Sequence, residues 1–146
     1  MSDYPISVPV PERTEEQKAE DEKQSRMADV IKEVGDQLKP TAATLLVQAK
    51  ALAHDPTKAQ LESLADEIQQ LASAGRNAQG RMDSFDCPKE SYFYKAVQNL
   101  WEYCELAIPN AKQAADAAGD NNEVRDVAYG NMMQNLESAL GSFQQA

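Results

Sequence analysis

The chain has 146 residues, and its 24 acidic and 14 basic side chains leave a formal net charge of −10. That balance disfavours duplex nucleic acid or an anionic membrane as a partner, because both would repel it. Two cysteines are too few for the stapled framework of a small secreted domain, and nowhere do about 18 apolar residues run together to cross a bilayer.

The length suits one domain with one core. The first residues lack the basic region and apolar run of a signal peptide, so the expectation is a cytoplasmic protein without membrane insertion. Residues 1–12, MSDYPISVPVPE, carry prolines at 5, 9 and 11, a spacing that blocks helix and favours extended, polyproline-like backbone. From Arg13 to Arg26 the helix formers are good, but no apolar residue is larger than Ala19. A helix there has nothing to bury, so the segment reads as a solvated extension of the first helix or as disordered. Residues 1–25 are therefore expected to form an arm ahead of a bundle spanning 26–146.

The first apolar seam runs from Met27 to His54 through Ile31, Val34, Leu38, Thr41 or Ala42, Leu45, Ala49 and Leu52, in steps of three and four. It passes through Pro40 without losing its period. A proline inside a helix removes a hydrogen bond at a cost of about 3 kcal/mol, so the reading is one long helix kinked near Lys39, or two helices sharing a face. Asp55 as N-cap and Pro56 at the first helical position start a second helix, whose seam is Leu61, Leu64, Ile68, Leu71, Gly75, Ala78 and Met82. The very short turn between them forces an antiparallel hairpin.

Asp83 to Ser91 concentrates breakers and caps and is the longest loop. A third helix, from about Lys89 to Ala118, carries Phe93, Val97, Leu100, Trp101, Cys104, Ala107 or Ile108, Ala111 and Ala115 on one face and passes through Pro109. Its first half is aromatic and its second half alanine-rich, which predicts a bundle broad at one end and narrow at the other. Gly119 stops it, and Asp120 to Asn122 cap a fourth helix to about Gln145, with Val124, Val127 or Ala128, Met132, Leu136, Ala139 or Leu140, and Phe143 as its seam. No segment alternates with period two. The expected fold is an all-α up-down-up-down four-helix bundle, with five helices if Pro40 splits the first. Pro40 and Pro109 are the two expected kink positions.

The chemistry-bearing residues are few. His54 is the sole histidine, at a helix end where a cation suits the dipole, and no Glu-x-x-His pair or CxxCH motif accompanies it. Cys87 precedes a proline and Cys104 lies on a seam; neither has a flanking base to lower its pKa. No phosphate loop, nucleophile elbow or HExxH pair occurs. The expectation is no catalytic residue, no cofactor and no metal. The one concentrated feature is aromatic: Phe93 and Trp101 fall with the core, while Tyr94, Tyr103 and Tyr92 fall towards the flanks. Tyr92, Tyr94, Trp101 and Tyr103 are accordingly the candidate partner surface, since aromatics are enriched at interfaces.

The stretch Leu45 to Ala78, LLVQAKALAHDPTKAQLESLADEIQQLASAGRNA, resembles the helical bundles of the talin rod, vinculin and α-catenin family: an alanine-rich amphipathic helix, a D-P turn, then a helix with Gln, Leu and Ala along its seam. The resemblance implies a non-enzymatic scaffold of the cytoskeletal or adhesion type that binds another protein through an amphipathic helix. The net charge departs from the basic surfaces with which that family binds actin. Two further readings stand beside it. One is a bundle holding a small apolar ligand, and the other is a phage or bacterial structural adaptor or effector whose Pro-rich arm hooks a neighbour.

Overall fold

A computed structural model describes residues 14–145, leaving aside the side chains of 142, 144 and 145; the Pro-rich stretch of the expected arm lies outside the described residues. Four helices account for nearly all of it: α1 Glu15–Ala51, α2 Lys58–Ser84, α3 Tyr92–Ala117 and α4 Asn122–Gln145. Consecutive helices pack together and α4 closes onto α1, which makes an up-down-up-down four-helix bundle. The described residues include no strand.

Each helix begins on a side-chain cap. Thr14 accepts from the Gln17 amide at 3.1 Å while the Gln17 side chain accepts from the Thr14 amide at 3.0 Å, and Glu15 and Glu16 add negative charge to the first turn. The charged stretch is therefore helical, the first of its two readings. The expected boundary near residue 26 is a change of burial within α1: residues 14–26 are exposed, and Met27 is the first buried side chain.

The cap of α2 differs from expectation. Thr57, not Asp55, is its N-cap, with Gln60 completing the capping box at 3.2 and 2.9 Å. Asp55 sits at φ 52°, in the left-handed region rather than the extended geometry an N-cap needs, and Pro56 is buried ahead of the helix. Ser91 caps α3 by accepting from the Tyr94 amide at 3.1 Å. After Gly119 at φ 87°, the Asn121 side chain accepts from the Val124 amide at 3.3 Å and starts α4.

Pro40 and Pro109 both lie inside unbroken helices, so the five-helix alternative falls away. Both rings are on exposed positions, where water reaches the carbonyls that the prolines leave without an amide partner. The residue after each proline repeats one device. Thr41 donates its hydroxyl to the Gln37 carbonyl at 3.2 Å, and Asn110 donates its amide to the Leu106 carbonyl at 3.4 Å, a side-chain bond back to the preceding turn that is known to bend helices.

The seams of α1 to α3 bury nearly as read, with Ala42 rather than Thr41 inside and Val30 more deeply buried than Ile31. Phe93 and Trp101, read as core, are only half-buried. The seam of α4 buries as read from Ala128 onward, through Met132, Leu136, Ala139, Leu140 and Phe143; at its start Val124 and Val127 are exposed, and Arg125 and Tyr129 join the inward face. Arg125 takes the inward position because Asp55 neutralises it at 2.7 Å and the Pro56 carbonyl accepts from it at 3.3 Å, tying the α1–α2 turn to the start of α4. Its bonds to Asp55 and Asp126 hold the guanidinium above its already high pKa.

The packing is uneven. The α2–α3 and α3–α4 pairs run close together along their length, whereas α1 approaches α2 and α4 closely along much less of its own. Phe93 fills the wider space at one end, against Phe143 with ring centroids 5.9 Å apart and within 3.8 Å of where a Cβ on Gly35 would lie. At the alanine end Tyr129 reaches across from α4 and donates its hydroxyl to the Ala49 carbonyl of α1.

Replacing Pro40 with alanine restores an amide and relieves the ring's clash without opening a cavity. The expected outcome is a gain of about 1–3 kcal/mol in urea unfolding; a loss of stability would show that the bend itself is required by the packing of α1.

Candidate functional site

The four residues of the candidate aromatic surface do not form one surface. Along a helix of 100° per residue, Tyr94 and Trp101 are seven residues apart and share one side of α3, while Tyr92 and Tyr103, eleven apart, share the opposite side. Tyr94 is buried at 4% exposure, which removes it from any docking face. Tyr92 and Tyr103 are exposed at 58% and 37%.

The Tyr94 and Trp101 side is an internal clamp between α2 and α3. The Trp101 indole donates to the Gln79 side-chain oxygen, the Gln79 amide donates to the Tyr94 hydroxyl at 2.9 Å, and Tyr94 donates to Asp83 at 2.6 Å. Every half-buried polar atom in this relay thereby gains a partner. The bond to Asp83 is the main reason the Tyr94 phenol titrates above its usual range. Arg76 lies over the indole, 4.6 Å from the ring centroid, and holds both oxygens of Glu105 at 2.7 and 2.9 Å. Beneath them Gly75 lets the helices meet: a Cβ there would stand 2.9 Å from the Trp101 Cβ.

Both cysteines are buried. Burial, aided by Asp83 and Asp86, pushes the Cys87 thiol up, and burial beside Glu105 pushes Cys104 up to about 12. Both are poor nucleophiles near neutral pH. His54 is exposed just past the end of α1, and the described residues contain no group of three or more His, Cys, Asp or Glu arranged to hold a metal.

A long concave feature lies along α1 and α2, and residue-by-residue reading of motifs missed it. Three stretches, of about 680, 480 and 470 Å³, join into one groove: Gln37, Gln70 and Ala74 line both the first and the second, and Gln48 and Glu67 line both the second and the third. The accessible apolar surface of its floor comes from Pro40, Ala51, Leu52, Ala59 and Ala74, which lie over the buried Val34, Leu38, Leu45, Leu64 and Leu71. Two polar stripes form the walls. Gln37, Thr41, Thr44 and Gln48 repeat at helical spacing on α1, and Gln70, Ser73, Asn77 and Arg81 repeat on α2. On α1 the stripe is uncharged, although 26% of the chain is charged. That uncharged periodicity beside the seam was the available signal. Arg81 pairs with Glu33 across one end of the groove.

No protein-family model, curated protein or solved structure matches the chain at a significant level. Among the described residues no helix is long and apolar enough to cross a membrane.

Two helix glycines are predicted to respond with opposite sign. Gly75→Ala meets the Trp101 Cβ, so overpacking outweighs the propensity gain and stability falls by about 1–2 kcal/mol. Gly130→Ala meets nothing within 4 Å and raises stability by up to about 1 kcal/mol. Equal effects at the two sites in urea unfolding would contradict the close α2–α3 approach.

Cys104 predicts a pH window. Its folded pKa near 12 lies above the ordinary 9.0, so its contribution is complete below about pH 9 and is lost between pH 9 and 12, as the unfolded chain releases its proton first. Unfolding free energy should fall across that window, and less steeply in Cys104→Ala; identical slopes would rule out this thiol as a cause.

Proposed function

We propose that the protein is a non-enzymatic interaction module whose α1–α2 groove receives an extended segment of another polypeptide. The groove carries this reading. Between Ala59 and Arg81 it follows about 33 Å of helix at 1.5 Å per residue. A docked helix has already satisfied its own backbone and needs a dominantly apolar trough. An extended strand instead presents unpaired N–H and C=O groups, and the flanking amides and hydroxyls of Gln37, Thr44, Gln70 and Asn77 can donate to and accept from them while alternate apolar side chains touch the floor.

The family resemblance of Leu45 to Ala78 supports the same class, since this stretch spans the end of α1 and most of α2. The departure is in the occupant: the resemblance implies an amphipathic helix, whereas the polar walls favour an extended chain. Soft docking of α1 helps, because a helix that contacts its neighbours loosely can shift slightly to admit a ligand.

Selection of short peptides from an unbiased displayed library against the full chain tests the reading. Selected peptides should bind Ala74→Arg or Thr44→Arg, which place a long cation in the groove, at least tenfold more weakly, and bind Val127→Arg, on exposed α4, with unchanged affinity. Peptides that bind all variants equally would overturn it.

A further inference from the structure

We infer that the occupant of the groove is the Pro-rich segment 1–13 of a second copy of this chain, an assignment that rests on the groove being a peptide site. The segment MSDYPISVPVPER joins α1 at Thr14. By sequence, prolines at 5, 9 and 11 favour a polyproline-like or extended backbone, which lowers the entropy cost of docking. Tyr4, Ile6, Val8 and Val10 alternate with Pro5, Ser7, Pro9 and Pro11, so an extended backbone turns one apolar row to the floor.

Charge and length point to this segment. Tyr4 to Pro11 carries no charge in a chain of net −10, so it is a part of the molecule that a second copy can accept without adding like charge. Thirteen residues at about 3.1 Å each span roughly 40 Å, against roughly 33 Å of groove.

Geometry excludes the chain's own segment. The groove begins near Val34, while segment 1–13 departs from Thr14, about 30 Å away along α1 at 1.5 Å per residue. Running back over that distance uses about three quarters of its roughly 40 Å reach, leaving about 10 Å for the groove. The exposed turns of Glu15 to Arg26 thus place Thr14, where the segment joins, well ahead of the groove of its own bundle. A segment arriving from another copy has no such distance to cover. Exchange between two copies closes a dimer, and one-way donation builds a longer row.

The test uses the full chain carrying a spin label on Ser7→Cys, mixed with isotope-labelled wild-type chain; Cys87 and Cys104 are buried and do not compete for the label. Amide signals of Thr44, Gln70, Ala74 and Asn77 in the isotope-labelled wild-type chain should broaden, and sedimentation should give a mass above the 16.1 kDa of one chain. Val8→Asp with Val10→Asp should abolish both effects, and Thr44→Arg should abolish the broadening while leaving the fold intact by circular dichroism. A monomeric mass at the highest attainable concentration overturns the inference. So does broadening confined to other surfaces, or broadening of the groove only when label and isotope share one chain. If any of these occurs while library peptides still bind the groove, the inference fails alone; if those peptides also ignore Ala74→Arg, the groove reading fails with it.

Discussion

Gly75 of α2 packs so closely against Trp101 of α3 that a single added carbon would stand 2.9 Å from the Trp101 Cβ. A glycine at that position costs helix propensity of about 1 kcal/mol, and what it permits is the close approach of the Trp101 backbone and the base of its side chain to α2. The Trp101, Gln79, Tyr94 and Asp83 relay and the Arg76–Glu105 pair then lock the contact from outside. With α2 drawn onto α3 in this way, and α3 onto α4, the three helices form the compact part of the molecule.

The first helix completes the bundle on different terms. It is tied at two levels: near its middle by Phe93 beside Gly35 and Arg81 against Glu33, and near its C-terminal end by Tyr129 on Ala49, where Arg125 also anchors the turn that follows α1. Between these ties lies the groove. Its depth follows from the spacing of α1 and α2, and its polar walls follow from the residues that flank the two seams. A helix with few close approaches to its neighbours is the kind of element that accommodates an added chain with little rearrangement.

The prolines take on a different meaning in this setting. Pro40 lines the groove beside Thr41 and Thr44, whereas Pro109 stands on the outer side of α3. Both use the following residue to return a hydrogen bond to the preceding turn. The device is shared, but of the two prolines it is Pro40 that lines the groove.

What the sequence determined by itself was the set of elements. Seams spaced by three and four residues, with caps and breakers between them, are local properties of the chain, so four helices, their antiparallel order and most of the core, from Val34 and Leu38 to Leu136 and Phe143, were readable without coordinates. Periodicity finds the apolar side of a helix only where apolar residues mark it unambiguously. At the start of α4, Val124 looked like a seam residue but is exposed, and Arg125 turns inward where Asp55, seventy residues away, neutralises it. Tyr94 looked like a flank residue until Gln79 and Asp83 supplied partners for its hydroxyl. The groove belongs to the same class: each polar stripe is visible on its own helix, but only the tertiary structure sets the two side by side.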